Sequence, residues 1–297
     1  MNEIELNGLT KSYGPEKGVF DLTLSVKKGE VFGFLGPNGA GKTTTIRQLM
    51  GFIKPLSGSS RIRGMDCFSE SAEIKEIVGY LPGEIAFMDE MRGREFLEFM
   101  AKLKGMKERK RMHDLIERFD LDPSGRIRKM SKGMKQKIGL VCAFMDEPEI
   151  LILDEPSSGL DPLMQNRFIE LILEEKKAGR TIFLSSHIFE EIERTCDRMA
   201  MIKNGRLIAT EEMKKLKKAR SRQYILSFET EEACMAFRKE DFVMKPVDAT
   251  HLLITTHHNL KPFLARACEY PINGLESGKE SLEELFLNFY SEEVPGK

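Results

Sequence analysis

The segment Gly36–Thr44 constrains this chain more than any other stretch of its sequence. It reads G-P-N-G-A-G-K-T-T and matches G-x-x-x-x-G-K-[ST], a loop whose backbone N–H groups surround nucleotide phosphates. Glycines permit that path because they lack Cβ. In such loops the lysine binds the β- and γ-phosphates and the threonine hydroxyl binds Mg²⁺. The residues expected at a bound nucleotide are therefore Gly36, Asn38, Gly39, Gly41, Lys42, Thr43 and Thr44.

The surroundings of this loop favour the same interpretation. Val31–Leu35 is a short apolar run typical of a buried strand, and Thr44–Met50 begins a helix whose N-terminus attracts anions. A dinucleotide-binding fingerprint is the weaker alternative, because the glycines do not follow G-x-G-x-x-G. The loop alone identifies a nucleotide binder without specifying its activity.

Composition limits the other possibilities. The 297 residues, 41% of them hydrophobic, can form one large domain and a smaller one. A net charge of −1 argues against a nucleic-acid surface. Five scattered cysteines without a C-x-x-C pair favour neither disulfides nor zinc and suit a reducing cytoplasm. We expect no signal peptide and no membrane span, since no apolar run reaches roughly 18 residues.

Two further apolar runs predict the centre of an α/β fold. Ile150–Leu153 and Thr181–Ser185 are typical of strands buried on both faces, and the helical pattern between them implies parallel pairing. Ligands of such sheets bind at the carboxyl ends of the strands. Lys42, Asp154 and His187 each follow a predicted strand, so we expect them to share one site.

Flanking segments predict two additions to this core. Residues 2–30 alternate like short strands, and residues 89–145 carry helical apolar stripes that we interpret as core packing. These stripes are Phe96, Phe99, Met100 and Leu103, followed by Met112, Leu115, Ile116 and Phe119. The sequence thus predicts an α/β phosphate-loop domain with an antiparallel β subdomain and an inserted helical subdomain at about residues 88–146.

A second, smaller domain is predicted from residue 217 onward. A basic junction, Lys214–Arg222, favours a solvated helix or linker over contact with anionic lipid. Strand, helix, two strands, helix and strand follow between residues 224 and 276, the order of a split βαβ unit. Ser281–Glu284 resembles a capping box that opens a last helix through Tyr290. The spacing of His251, His257 and His258 does not indicate a metal site. The predicted domains are therefore residues 1–216 and an α+β accessory domain, 217–297.

Several motifs occur in a defined order. The phosphate loop is followed by Met130–Lys137, the apolar strand that ends in Asp154–Glu155, the loop Ser158–Asp161 and His187. Over about residues 2–215 this series resembles the ATP-binding cassette (ABC) ATPases, the motor subunits of ABC transporters. Met130–Lys137 is similar to the family's signature, Leu-Ser-Gly-Gly-Gln, with substitutions.

The resemblance implies a role for each motif residue. Thr43 and Asp154 would hold Mg²⁺, Glu155 would polarise the attacking water, and His187 would contact the γ-phosphate of ATP. Tyr13 would stack on adenine. Residues expected at the ATP of the opposite subunit are Ser131, Gly133 and Asp161.

The resemblance also implies partners. Since the chain has one phosphate loop and one signature, it would need a second copy or a paralogue, and a separate transmembrane permease, at the cytoplasmic face of the cell membrane. No nucleic acid is expected. The C-terminal Ser281–Phe286 resembles tails of drug and bacteriocin-resistance exporters, which favours export.

Three positions depart from the family pattern. Gly83 and Glu84 stand where the family has a glutamine that senses Mg²⁺, and we hypothesise that Glu84 or water takes its place. Met134 replaces the signature glutamine, and Lys132 replaces a glycine, either to add charge near the partner's γ-phosphate or to face solvent.

Two other classes remain as alternatives. A soluble ABC protein of translation or DNA repair usually carries two cassettes or a long coiled coil, which this sequence lacks. A phosphate-loop kinase or GTPase would leave the signature unexplained, and no Asn-Lys-x-Asp motif occurs.

Overall fold

A computed structural model describes residues 1–88, 90–219, 222–256 and 260–278. The chain divides into two compact units, Met1–Met213 and Lys214–Lys297. The boundary predicted after residue 216 lies in a helix, Met213–Ala219, whose described lysines are exposed as expected of a solvated face. The predicted capping box, the last helix, His257 and His258 lie outside the described residues.

The first unit contains the strands of two sheets and the helices that alternate with them along the chain. Its strands are β1 (Asn2–Gly14), β2 (Lys17–Lys27), β3 (Val31–Leu35), β4 (Ser57–Ile62), β5 (Met65–Asp66), β6 (Val78–Leu81), β7 (Ile150–Asp154), β8 (Thr181–Ser186), β9 (Arg198–Lys203) and β10 (Arg206–Glu212). Its helices are α1 (Lys42–Leu49), α2 (Ser71–Ile77), α3 (Gly93–Leu103), α4 (Lys110–Arg118), α5 (Lys132–Phe144), α6 (Pro162–Lys177) and α7 (Phe189–Thr195), with a 3₁₀ turn at Ile127–Lys129.

The central sheet has the strand order β10-β9-β3-β8-β7-β6. Strands β3, β6, β7, β8 and β9 pair in parallel, and β10 is an antiparallel edge. Every residue of β3, β7 and β8 is buried, which explains the apolar run in each of them. The predicted parallel pairing of β7 and β8 is confirmed, and it places the ends of β3, β7 and β8 side by side.

The second sheet is antiparallel, in the order β2-β1-β4-β5. The predicted N-terminal strands are confirmed, but they are much longer than the alternating segments suggested, at 13 and 11 residues. Register shifts interrupt the alternation between Leu6 and Leu9 and between Leu9 and Lys11, so a strict period of two underestimates strand length here. Side chains of both sheets belong to one buried core, which includes Ile4, Leu6, Phe32 and Phe183.

The helical segment consists of α3, α4, the 3₁₀ turn and α5. Phe96, Met112 and Phe119 are buried as predicted. The core assignment was wrong for Phe99, which is 39% exposed, and Leu103, which is 70% exposed. Leu97 and Ala101 fill the buried face of α3 instead, because the face turned to the core is offset from the most apolar stripe.

The second unit has the predicted order of elements. After α8 (Met213–Ala219) these are β11 (Arg222–Phe228), α9 (Glu231–Phe237), β12 (Val243–Pro246), β13 (His251–Thr256), α10 (Leu260–Ala267) and β14 (Ile272–Gly278). The sheet order β12-β13-β11-β14, antiparallel throughout, is that of a split βαβ unit. Leu226, Phe237, Phe263 and Ile254 form its core. The predicted small α+β domain is thus confirmed as a fold.

Candidate functional site

The phosphate loop lies between the end of β3 and the start of α1. The N–H of Gly36 donates to the Ser186 carbonyl oxygen at 3.2 Å, which joins the loop to β8. Gly39 and Gly41 have φ angles of +79° and +110°, in the region that favours glycine. A Cβ at Gly41 would lie 2.6 Å from Val19 Cγ1, so a side chain does not fit there.

Lys42 is buried and its ammonium lies inside the loop. Its Nζ donates to the carbonyl oxygens of Gly36 at 2.7 Å and Pro37 at 3.2 Å. The same atom lies 3.1 Å from Glu155 Oε1. The ammonium is therefore held at the strand ends, where an anionic phosphate would gain most from it.

A cleft of about 500 Å³ opens in front of this loop. Seven of the predicted site residues line this cleft. The other lining residues come from β2, from α1 and from the segment after β6. The lining residues are Gly18, Asn38, Gly39, Gly41, Lys42, Thr43, Thr44, Arg47, Gly83, Glu84 and Glu155. The cleft thus offers backbone N–H groups, hydroxyls and two cations to a polyphosphate.

Asp154 ends β7 and is fully buried. Its Oδ1 accepts a hydrogen bond from Ser185 Oγ at 2.5 Å, whereas Oδ2 has no hydrogen-bond partner among the described residues. A Cβ on the cleft-lining Gly83 would lie 3.0 Å from that oxygen. Burial and, secondly, the negative charge of Asp154 raise the pKa of Tyr80 to about 12. A buried carboxylate oxygen without a partner, facing the cleft wall, fits a Mg²⁺ ligand.

Glu155 links three parts of the site. Its Oε2 lies 3.3 Å from His187 Nδ1, while Oε1 lies at Lys42. Its φ of +48° is in the left-handed region, which non-glycine residues rarely adopt. Glu155 therefore brings Lys42 and His187 together. This agrees with the predicted common site of Lys42, Asp154 and His187, because Asp154 is the residue before Glu155.

The signature residues lie elsewhere. Ser131 Oγ accepts from Met134 N at 3.2 Å and caps α5, and Asp161 caps α6 by accepting from Met164 N at 3.0 Å. A Cβ at Gly133 would be 2.6 Å from the Gly159 carbonyl oxygen, so α5 begins against the loop 158–161. None of Ser131, Gly133 and Asp161 is among the described residues that line the phosphate cleft.

Lys132 is exposed at the start of α5, as its solvent-facing alternative predicts, and proximity to the partner's γ-phosphate stays a prediction. Its Nζ donates to Ser158 Oγ at 2.9 Å, and its methylene groups lie over Gly159. The hydrogen bond lies at the surface, so it adds little stability.

Tyr13 is 55% exposed near the end of β1 and is not among the described residues lining the cleft. The ammonium of Lys11 lies 5.9 Å from the centre of its ring. One flat face with a cation nearby suits an aromatic base and its phosphates, but the predicted adenine contact of Tyr13 stays a prediction.

Two residues at the site were not predicted from the sequence. Gln136 is buried on α5 and donates to the carbonyl oxygens of Pro156 at 2.9 Å and Glu155 at 3.3 Å. Ser185 contacts both carboxylate residues at the end of β7. A polar residue within an otherwise apolar strand or helix face was the available signal, since a buried polar group needs a partner.

Comparisons with known proteins identify the family. The chain is 40% identical to the bacitracin transport ATP-binding protein BcrA of Bacillus licheniformis, over 75% of this chain and 73% of BcrA. The chain belongs to the family of ABC transporter ATP-binding proteins. The family model described as ABC transporter matches residues 19–158. The predicted ATPase cassette is confirmed: this chain is an ATP-binding ABC ATPase.

Two further similarities support the same family. The chain is 33% identical to the linearmycin resistance ATP-binding protein LnrL of Bacillus subtilis (strain 168), over 96% of this chain and 97% of LnrL. A solved structure of an ATP-binding subunit of an ABC transporter superposes with a TM-score of 0.66 at 34% identity, covering 72% of this chain and 92% of that one. The described helices include none that is long and apolar enough to cross a membrane.

Glu191 on α7 lies beside this ABC site and carries a testable pH dependence. Its carboxyl accepts from Ser186 Oγ at 2.5 Å, and its Oε1 has no partner among the described residues. Burial, with a smaller contribution from the charge of Glu155, raises the pKa of Glu191 from 4.5 to about 7, although hydrogen bonds from Ser186 and Ser157 lower it. The folded chain therefore keeps a proton that the unfolded chain releases between pH 4.5 and about 7.

The free energy of unfolding should fall across that pH range. We expect Glu191→Gln to unfold at a temperature several degrees above the wild type at about pH 8 and to differ little at about pH 4, because the glutamine has no proton to lose. Thermal unfolding followed by circular dichroism measures this. Glu190→Gln, on the exposed neighbour, is the control. A gain that is the same at both pH values would contradict the prediction.

Proposed function

We propose that this chain is the ATPase subunit of an ABC exporter and works as a pair with a second copy or a paralogue. The observation that carries the proposal is the separation of its two half-sites. Lys42 and Glu155 line the cleft, and His187 contacts Glu155. Ser131 and Gly133 are not among the described residues that line it and lie at the start of α5, against the loop 158–161. A signature that does not line its own chain's cleft is available to cover the ATP of a partner.

Within one half-site the residues divide the work of hydrolysis. The N-terminus of α1 and the Lys42 ammonium bind the β- and γ-phosphates, and Thr43 with Asp154 Oδ2 would hold Mg²⁺. Mg²⁺ supplies neutralisation of the charge that develops on the phosphate oxygens. The Glu155 carboxylate accepts a proton from the attacking water, and His187 holds that carboxylate and reaches the γ-phosphate.

Closure of the pair on ATP and opening after hydrolysis would drive a separate transmembrane permease. ATP binds the closed pair better than the open one, so hydrolysis resets the equilibrium. The relatives named for bacitracin transport and linearmycin resistance support outward transport of a compound of that kind. We therefore place the subunit at the cytoplasmic face of the membrane.

Co-purification tests this assignment. The tagged full chain should carry with it a membrane protein of about six apolar spans, and the purified complex should hydrolyse ATP faster when its cargo is added. Recovery with ribosomes or DNA and no such membrane protein would overturn the exporter and favour the soluble ABC alternative.

The position of Glu84 gives a further prediction. It lines the cleft beside Gly83, which has no side chain to reach Mg²⁺. If Glu84 replaces the missing glutamine, Glu84→Ala should lower Mg²⁺-dependent turnover roughly tenfold or more and raise the Mg²⁺ concentration required, as loss of an outer metal contact does. Steady-state ATPase rates over a Mg²⁺ series measure this, with the exposed Glu73→Ala as control. Unchanged turnover would assign the role to water.

A further inference from the structure

Ser185 is a fully buried serine at the end of β8. The parallel register places it directly beside Asp154 of β7. Its Oγ lies 2.5 Å from Asp154 Oδ1 and 3.1 Å from the backbone nitrogen of Glu155. One hydroxyl therefore contacts both of the acidic residues on which the proposed hydrolysis depends.

The direction of both hydrogen bonds follows from the donors available. A serine has one O–H, and the Glu155 N–H can only donate, so the oxygen accepts from Glu155 and its proton points to Asp154 Oδ1. Oδ1 is thereby occupied. Oδ2 is left without a partner among the described residues and lies against the position where a Gly83 Cβ would stand.

The same serine holds the peptide of Glu155. The Glu155 nitrogen also lies 3.2 Å from the Ser185 carbonyl oxygen. Both oxygen atoms of Ser185 therefore accept from the Glu155 N–H. Glu155 has a left-handed backbone with a φ of +48°, a conformation that is unfavourable for a non-glycine residue and needs such support.

We propose that Ser185 is a positioning residue for Mg²⁺, which turns the free oxygen of Asp154 toward the phosphate cleft and fixes the backbone from which Glu155 acts. The inference rests on the proposed Mg²⁺-dependent ATPase function. Ser185 does not touch the metal or the nucleotide. It acts through Asp154 in the way that outer-shell hydrogen bonds orient metal ligands.

Ser185→Ala tests this through binding rather than turnover. Affinity for a fluorescent, non-hydrolysable ATP analogue is measured first in EDTA and then over a Mg²⁺ series. We expect the affinity in EDTA to stay within about twofold of the wild type, because Lys42 and the loop are unchanged. The Mg²⁺ concentration that gives half of the affinity gain should rise roughly tenfold or more.

Two further variants separate positioning from packing. Thr181→Val removes an equally buried hydroxyl at the opposite end of β8, where Thr181 Oγ1 accepts from Gly29 N, and should leave the Mg²⁺ midpoint unchanged. Ser185→Cys keeps the core filled but offers only a weak donor, and should shift the midpoint in the same direction by a smaller factor.

Each outcome bears on one of the two proposals. A wild-type midpoint in Ser185→Ala or Ser185→Cys overturns the positioning role and leaves the ATPase assignment in place. So does an equal loss of affinity with and without Mg²⁺, which would indicate a packing role alone. A wild-type chain that gains nothing from Mg²⁺ would overturn the metal in the proposed function and this inference with it.

Discussion

Glu155→Gln is expected to stop steady-state ATP hydrolysis while ATP binding persists. The carboxylate lies between the Lys42 ammonium and the His187 ring, where a water attacking the γ-phosphate could transfer its proton. An amide fills the same volume and still accepts from Lys42, but it is too weak a base to take a proton. Loss of a general base costs roughly 100-fold to 10,000-fold in turnover.

Phosphate release and nucleotide binding measure the two halves of this prediction. Because hydrolysis would reset the pair, the variant should also elute as a dimer in ATP and as a monomer in ADP. Glu174→Gln is a matched control. Glu174 forms an ion pair with Arg118, with 2.5 Å between the charged atoms, and is not among the described residues that line the cleft. Turnover of Glu155→Gln within about threefold of the wild type would assign the base elsewhere.

A common site for Lys42, Asp154 and His187 was predictable because each comes after an apolar segment that is typical of a buried strand. Parallel strands bring such ends together at one edge of the sheet. That argument needs only the order of the strands. It does not depend on how far apart the residues are in the sequence.

The contacts of Ser185 and Gln136 depend on detail that sequence periodicity does not contain. Ser185 meets Asp154 only because β7 and β8 pair in one register, and a shift of one residue would turn the hydroxyl to the other face. Gln136 reaches the Pro156 carbonyl because α5 packs at one particular rotation. The exposed Phe99 and Leu103 show the same limit, since the rotation of α3 follows from its neighbours rather than from its own apolar stripe.

Lys42→Ala is expected to lower affinity for ATP about 100-fold or more, with or without Mg²⁺. The buried ammonium provides charge-assisted hydrogen bonds, and each of two such bonds to phosphate contributes roughly 1.5–3 kcal/mol. Titration with a fluorescent ATP analogue measures the loss. Lys104 also forms an ion pair, with Asp146 on the helical segment. Lys104→Ala is therefore the control and should bind ATP normally. Affinity of Lys42→Ala within about threefold of the wild type would contradict a phosphate-binding role.

The ion pair between Lys42 and Glu155 also allows the effect of Lys42→Ala on stability to be separated from its effect on ATP affinity. Lys42→Ala alone leaves Glu155 charged, with its side chain only 23% exposed and without its lysine partner, so the folded chain should lose stability. Adding Glu155→Gln removes that unpaired charge and should recover much of the loss in thermal unfolding, because a neutral pair needs no counter-charge. ATP affinity should stay low in the double variant, since the amide supplies no positive charge to a phosphate. Glu155→Gln would then restore the stability of Lys42→Ala without restoring its affinity for ATP. A purely structural role for Lys42 predicts instead that stability and affinity recover together.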